Sequence, residues 1–319
     1  MSLLVNSGIS SSLVRENVQG SLGDIVFRRT DFLNFLRARG AIMPLSGADP
    51  MQWNITYAGN GSAQTYVESQ AAPLAGKQSY ARASLGCFHT EVVAGYSGHV
   101  ADQVRNGGVY QDPIQNELAK GIEDLFVQVE STLVGSTADQ GVQSIIDGGD
   151  TYAGLAPGTY TSWKSLETAV GGALAVSTFE DNLETAALSP YLSQPTDWFM
   201  PANQITNYNR LVGTGATTSL YRGNLPMAGG TNDIGMMPGN YLQGQTSYNG
   251  APIHLISGLT TTVILALDMR SPVRLVVKRD VTVKPLAETN DDSNVLITFA
   301  CALQVMERNK HIKLTGVTA

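Results

Sequence analysis

Cysteine and histidine are the residue types that most often serve as nucleophile and general base, and this sequence places Cys87 two residues before His89. On a β-strand, residues i and i+2 point to the same face, so the thiol and the imidazole could meet. No third group that would orient the imidazole is recognisable in the sequence. The pair alone therefore does not predict a thiol enzyme.

The motifs of the common enzyme classes do not occur. The sequence contains no phosphate loop, no GxSxG and no HExxH, and the glycines at 213 and 215 lack the third glycine of a dinucleotide fingerprint. With no CxxC and only four histidines, no common zinc spacing is present. The acidic pairs at 147–150 and 291–292 are typical of turns and lack the alternating pattern of a calcium loop. We expect neither enzyme activity nor a cofactor or metal.

The composition favours a chain that is covered by partners. Charged residues make up 15% of the 319 residues and glycines number 33, whereas about 25% charge is usual in a soluble domain. Two cysteines 214 positions apart exclude a disulfide scaffold and fit an intracellular origin. The longest apolar stretch, 263–267, is five residues, so we expect neither a secretion signal nor a membrane span.

The net charge of −7 is unevenly distributed. Residues 112–200 carry two basic against thirteen acidic groups, a net −11. The densest basic groups are Arg28, Arg29, Arg37 and Arg39, and a second group around 274–284. Both are too thin for a conventional nucleic-acid-binding surface. We interpret the former as the solvated face of a helix.

The hydrophobic pattern of the N-terminal third predicts an extended arm, a helix and an extended hairpin. Residues 1–23 show no period, and apolar residues at helical spacing then predict a helix over 24–39, which Gly40 ends. Alternation from Trp53 to Tyr57 predicts a strand followed by a turn. The segment 63–85 has no helical face and no apolar cluster, so it is either disordered or packed on something else.

One long helix dominates the middle of the sequence. Asp112 is a suitable N-cap, Pro113 suits the first helical position, and an apolar stripe then runs to Leu133. This pattern predicts a helix over 112–134, with solvating acids on its outer face: Glu117, Glu123, Asp124 and Glu130.

The remaining elements alternate between short helices and strands. We predict helices over 162–176 and 178–188, the second opened by a Thr178-x-x-Asp181 cap, then a buried strand at 197–201 and another helix. The glycine-rich residues 213–250 predict a long loop. Alternation over 273–283 and 295–305 predicts a long antiparallel ribbon that extends beyond its own subdomain.

The order of these parts resembles that of tailed-bacteriophage major capsid proteins of the Hong Kong 97 fold. The similar pieces are AQTYVESQAAP at 63–73 (the family's E-loop strand), DPIQNELAKGIEDLFVQVESTLVG at 112–135 (its spine helix), DWFMPANQITNYNRLV at 197–212, NGAPIHL at 249–255 and HIKLTGV at 311–317 (its A-domain strands).

The resemblance implies an α+β capsid fold. Its parts are an N-terminal arm (1–48), an E-loop (49–88), a P domain (89–140 and 269–305, with the spine helix at 112–134) and an A domain (141–268 and 306–319). Many relatives begin with a scaffolding domain of about a hundred residues that a protease removes. Here the spine helix begins too early to leave room for one, so a separate scaffolding protein is expected.

The implied function is self-assembly, as pentamers and hexamers, into an icosahedral shell around phage double-stranded DNA. The expected partners are a portal and packaged DNA, which is bound without sequence specificity. A decoration protein is a further possible partner, and no membrane is expected. The location is the virion, after assembly in the bacterial host cytoplasm. If the −11 region lines the interior, it would repel the packaged DNA. The alternatives are an encapsulin-like compartment and another phage structural protein.

Assembly contacts are expected from the arm and the E-loop. The candidates are Arg28, Arg29, Trp53, Tyr66, Glu68, Lys77 and Arg82. In the type member of the fold an E-loop lysine forms an isopeptide bond to an asparagine of a neighbouring subunit. Lys77 occupies a similar place, but the sequence identifies neither the carboxylate nor the asparagine that this chemistry needs. We therefore expect Lys77 to be an ordinary loop lysine.

Overall fold

The described part of the chain contains both helices and strands. The computed structural model describes residues 29–47, 49–59, 76–97, 113–215, 247–271, 273–287 and 292–318. The helices are α1 (Asp31–Ala38), α2 (Pro113–Val134), α3 (Val142–Ile145), α4 (Val176–Ala187) and α5 (Ala202–Gly215), with 3₁₀ turns at Thr161–Trp163 and Arg308–Lys310. Within the described ranges, no helix is long and apolar enough to span a membrane.

A long β-ribbon forms the centre of the first sheet. Strands β10 (Val273–Pro285) and β11 (Asp292–Val305) pair antiparallel, and β1 (Ile42–Pro44) and β4 (Phe88–Ser97) flank them in the order β1-β10-β11-β4. The ribbon agrees with the sequence prediction. The pairing shifts register between Val277 and Thr282, where the predicted alternation is broken by Arg279. A β-bulge of this kind bends the strand and strengthens its twist.

Helix α2 lies across this sheet. Its side chains Leu125, Val129 and Leu133 are buried, as the apolar stripe predicts. The helix approaches the sheet most closely at Gly121, where an added Cβ would lie 2.8 Å from Cδ1 of Ile297. Glycine therefore permits the close contact between helix and ribbon.

The second sheet contains six strands among the described residues. Its order is β5-β12-β9-β6-β8-β7, formed by Leu166–Ala169, Ile312–Thr315, Ile264–Leu267, Asp197–Met200, Ala251–Leu255 and Ser247–Tyr248. Successive residues of β6 face different cores: Phe199 belongs to the core under α2, whereas Trp198 and Met200 belong to a second core with α4 and α5. The buried strand β6 and the helix after Pro201 confirm that part of the sequence prediction.

A two-stranded hairpin stands apart from both sheets. Strand β2 (Met51–Ala58) pairs antiparallel with β3 (Ser79–Leu85). The end of the segment 63–85, for which the sequence showed no period, is therefore an ordered strand in which Ala83 and Leu85 are buried. The residues 60–75 lie outside the described residues, and so does most of the predicted loop 213–250.

The predicted helix over 162–176 is wrong. Its first residues form the 3₁₀ turn, and Leu166–Ala169 is strand β5, which pairs in parallel with β12. The glycines at 171 and 172 interrupt any helix there, and Gly171 has a φ of +62°. An apolar spacing of four residues fits a helix but also fits a short strand that ends at a turn.

Two predicted helix starts also need correction. Helix α4 begins at Val176 after the N-cap residue Ala175, so Thr178 lies inside the helix and does not cap it. Helix α1 begins at Asp31 and not at residue 24; residues 24–28 lie outside the described residues. The predicted stop at Gly40 is confirmed, because Gly40 has a φ of +65° and the Ala41 N–H bonds to the carbonyl of Leu36.

Candidate assembly surfaces and their anchors

Helix α1 is anchored on α2 by a buried carboxylate. The Glu130 Oε1 accepts a hydrogen bond from the Phe32 N–H at 2.7 Å, and its Oε2 accepts one from the Leu33 N–H at 2.9 Å. Glu130 therefore satisfies two free backbone donors at the start of α1. Only 6% of Glu130 is exposed.

The interpretation of Glu130 as an outer-face solvating group is therefore wrong. Burial raises the pKa of Glu130 to about 7, although the two backbone N–H groups act in the opposite direction, and the nearby Asp31 charge adds to the rise. The helical period could not show this, because α1 lies about a hundred residues earlier in the chain. The one sequence signal is that both Leu133 and Val134 are apolar, which widens the buried face at this end of α2.

A second anchor joins α1 to strand β6. The fully buried Asp197 accepts from the Arg39 guanidinium at 2.7 Å, and its Oδ1 lies 2.9 Å from His254 Nε2. Burial raises the pKa of Asp197, but hydrogen bonds from His254 and Thr196 and the Arg39 charge outweigh it and hold the pKa below its usual value. Arg39, predicted to lie on a solvated face, therefore serves as an anchor that links α1 to this sheet.

A cleft of about 340 Å³ lies beside this anchor, between α1 and strands β6 and β8. Phe35 and Phe199 flank the His254 ring, at centroid distances of 4.8 and 5.2 Å. A histidine with a buried carboxylate behind it resembles part of a hydrolase site, but no serine or cysteine is among the described residues that line the cleft. The three rings of Phe35, Phe199 and His254 pack against one another at this anchor.

Cys87 is not an activated nucleophile. Burial raises the pKa of its thiol, and the Asp49 carboxylate raises it further. Activation needs a pKa shift in the opposite direction. The described ranges also contain no group of three or more histidine, cysteine, aspartate or glutamate side chains that could hold a metal ion.

The base of the hairpin β2–β3 is fixed to the ribbon by aromatic side chains. The ring centroids of Trp53 and Tyr152 are 6.2 Å apart, and the Tyr152 ring stacks on the Trp163 ring with centroids 6.3 Å apart. The Tyr152 hydroxyl donates to the Leu303 carbonyl and accepts from the Val305 N–H, both at 2.9 Å. Trp53, a predicted assembly candidate, is thus a buried anchor that positions the hairpin.

The other assembly candidates occupy different surroundings. Lys77 is exposed two residues before strand β3, and Arg82 is exposed in the middle of β3, paired across from Asn54. Arg29 pairs with Asp31 at 2.9 Å. Arg28, Tyr66 and Glu68 lie outside the described residues. The structure thus places Arg29 in one cluster with α1 and groups Trp53 with the hairpin that carries Lys77 and Arg82.

A groove of about 510 Å³ runs along β2. Its walls are residues 53–59, the 3₁₀ turn with Trp163, and the segment 306–310. Pro190 also lines it, so the loop 188–192 forms its rim. The groove combines an aromatic floor with a polar edge, as protein contact surfaces often do.

The rim loop presents two exposed leucines in a fixed conformation. Leu188 is 59% exposed and Leu192 is 65% exposed, and Leu192 has a φ of +46°, which is strained for a leucine. The Lys310 ammonium donates to the carbonyls of Tyr191 and Leu192 at 3.0 and 2.9 Å. Sequence reasoning missed this loop, because a Leu-Ser-Pro-Tyr-Leu run gives no sign that both leucines are exposed.

Comparison with solved structures identifies the fold, whereas no family model and no curated protein sequence matches this chain. The cyanophage A-1(L) capsid asymmetric unit has a TM-score of 0.71 at 13% identity and covers 98% of this chain and 99% of its own. The capsid of the native GTA particle has a TM-score of 0.63 at 13% identity, and the comparison covers 100% of this chain and 99% of that one.

A third similar structure is the holo-SrpI encapsulin complex from Synechococcus elongatus PCC 7942, with a TM-score of 0.58 at 14% identity, covering 98% of this chain and 96% of that one. Each comparison extends over nearly the whole length of both chains. Together with the long ribbon, the helix across it and the separate two-stranded hairpin, they show that this chain has the Hong Kong 97 fold of tailed-phage capsids.

Proposed function

We propose that this chain is the major capsid protein of a tailed bacteriophage, which assembles as pentamers and hexamers into an icosahedral shell around double-stranded DNA. The observation that carries the proposal is the full-length similarity to the cyanophage A-1(L) capsid, with a TM-score of 0.71. Its role is structural and not enzymatic, and its location is the virion.

The parts of the fold have distinct roles in this proposal. Residues 1–48 act as the N-terminal arm and 49–88 as the E-loop. Residues 89–140 with 269–305 form the P domain, and 141–268 with 306–319 form the A domain. The anchored base of the hairpin β2–β3 supports the E-loop assignment, because a fixed base lets a projecting loop reach a neighbouring subunit in a defined direction. Head-to-tail contacts around a rotation axis then close into rings.

The arm and E-loop candidates act as contacts with neighbouring copies in this proposal. Lys77 and Arg82 are exposed on the hairpin and available to a partner, whereas Trp53 supports them from the core. Many weak contacts of this kind act together in a closed shell, so none of them needs to be strong. A separate scaffolding protein, a portal and packaged DNA are the proposed partners, and a decoration protein is a further one.

An encapsulin-like compartment is the second candidate, because the holo-SrpI encapsulin complex has the same fold with a TM-score of 0.58. The two candidates differ in shell size and content.

Sedimentation and negative-stain imaging of native particles test the proposal. A large shell that protects DNA from nuclease supports the capsid, and a small shell with protein inside supports the compartment. Monomers or dimers alone, with a scaffolding protein supplied, or a tube, would show that the proposed function is wrong.

A further inference from the structure

We propose that Glu130 is a proton-controlled latch, whose protonation state sets how tightly helix α1 is held on helix α2. The inference goes beyond the proposed function and does not depend on it, because it concerns contacts within one chain. It rests on the position of the carboxyl group between the two helices and on its burial.

The latch consists of one side chain and two backbone donors. The two Glu130 oxygens accept from the Phe32 and Leu33 N–H groups at 2.7 and 2.9 Å, and only 6% of the residue is exposed. When α1 leaves α2, the carboxyl group becomes hydrated and the two N–H groups lose their acceptor. Docking and hydration of Glu130 are therefore mutually exclusive.

The direction of the coupling follows from the two environments. With α1 docked, burial raises the pKa of Glu130 to about 7, whereas a hydrated glutamate has its ordinary pKa of 4.5. The Phe32 and Leu33 N–H groups favour the charged carboxylate, but the cost of burying that charge outweighs them, so the docked form binds the proton more tightly. Docking is strongest below about pH 4.5 and weakens as the pH rises through 7.

The charged surroundings leave this direction unchanged. Asp31 on α1 is the charged side chain, among the described residues, whose field reaches Glu130, and it opposes ionisation. Arg29 and Ser257 bond to Asp31 itself. No charged group of β4, β11 or α3, the other elements packed on α2, contributes to the pKa of Glu130.

The Arg39–Asp197 anchor of α1 does not change its charge between pH 5 and 9, the range over which Glu130 titrates. The pKa of Asp197 lies below its usual value, so its ion pair with Arg39 keeps a charged carboxylate from pH 5 upward. Glu130 therefore controls the end of α1 near Phe32, and Arg39 holds the opposite end.

Hydrogen exchange of the unassembled full-length chain tests the latch. Protection factors of the α1 amides, corrected for the intrinsic pH dependence of exchange, should fall on the order of 100-fold between pH 5 and 9. Strand β12 serves as the internal reference, because its buried residues Ile312 and Leu314 belong to the second core and not to the core that contains Phe32. An equal fall in β12 would mean global destabilisation and would overturn the proposal, as would constant protection of α1.

Two variants and a control complete the test. Glu130→Gln should abolish the pH dependence of α1 protection, whereas Glu123→Gln, on the exposed side of α2, should retain it. If Glu130→Gln fails to fold, Asp31→Asn replaces it. Loss of the Asp31 charge should lower the pKa of Glu130 and give a smaller fall in protection that ends at lower pH. An unchanged fall in both variants would contradict the latch.

Discussion

His311 is enclosed on all sides beside strand β12. Its Nδ1 accepts the Asp268 N–H at 3.2 Å, so the proton resides on Nε2, which finds no acceptor among the described residues. Burial lowers the pKa of His311 to about 4, although Asp268 acts in the opposite direction. The imidazole is therefore neutral in the folded chain at neutral pH.

Because the folded pKa of His311 lies below the unfolded value of 6.5, protonation of His311 lowers the stability of the subunit as the pH falls from 6.5 towards 4, while protonation of Glu130 acts in the opposite direction over the same range. The loss from His311 alone amounts to about 3 kcal/mol by pH 4. Urea unfolding at pH 7 and pH 4.5 measures the difference between variants. From pH 7 to pH 4.5 the free energy of unfolding of His311→Asn should change by about 2 kcal/mol more favourably than that of the unmodified chain, whereas the exposed His89→Asn should follow the unmodified chain. Equal slopes in all three proteins would rule out His311 as the cause.

Lys77 provides a prediction about assembly chemistry. It is exposed, and no carboxylate in the described ranges lies within 4.0 Å of its ammonium, so those ranges offer no proton acceptor for an isopeptide bond. We expect Lys77→Ala subunits to assemble, and denatured shells to migrate as one band near 34 kDa. Lys284→Ala, at another exposed lysine, is the control. A ladder of multiples that only Lys77→Ala abolishes would establish the crosslink.

At the scale of elements, the rim loop 188–192 is expected to contribute to assembly and not to folding. Leu192→Gly removes an exposed apolar side chain and also relieves a positive φ, so the melting temperature should stay level or rise while assembly falls severalfold. Leu192→Met keeps the apolar contact and should assemble normally. Light scattering measures assembly, and normal assembly of Leu192→Gly would exclude the loop from the contacts.

The segment between the strands of the hairpin is expected to serve assembly as well. The sequence of residues 58–80 offers few core anchors and predicts that a deletion of this segment does not prevent folding. Ser79 and Tyr80 pair with β2, however, so the deletion that tests this must be shorter. Replacement of 60–75 by a two-residue turn should leave a cooperative melt and abolish shells. Precipitation or a broad melt would instead assign the segment to the core.

Periodic elements could be predicted from the sequence, and contacts between distant elements could not. The long helix, the ribbon and the strand before Pro201 each carry many residues of one period, and the structure has all three. The helix predicted over 162–176 depended on three apolar residues, too few to distinguish a helix from a strand. Glu130 and Arg39 were assigned to solvent, because their partners Phe32 and Asp197 lie 98 and 158 positions away.

The candidate surfaces show the same division. The alternation around Trp53 identified the hairpin strand, but its burial against Tyr152 depends on a residue about a hundred positions later. The Leu192 carbonyl accepts a hydrogen bond from Lys310, which lies more than a hundred positions later in the chain. The order of the elements was therefore more informative than any single residue, and the resemblance to a capsid fold relied on that order.

At the scale of the whole molecule, strands β6 and β9 belong to both hydrophobic cores. Along β9, Ile264 and Ala266 face the core with α4 and α5, while Leu265 and Leu267 face the core under α2. If either core unfolds, the residues of β6 and β9 that face it become exposed, and the strands that also line the other core lose their support. The proposed P and A domains therefore share buried strands, so the stability of each depends on the other.

This shared wall predicts that the subunit melts as one thermodynamic unit. Calorimetry of the unassembled chain should give a single peak, with a calorimetric enthalpy equal to the van't Hoff enthalpy. Two resolved peaks would contradict it. If the subunit is one thermodynamic unit, neither half can be transplanted into another shell protein as an independent module. A graft cut at the 140–141 or 268–269 boundary would contain β6 and β9, but one face of these strands would lack the core that it completes.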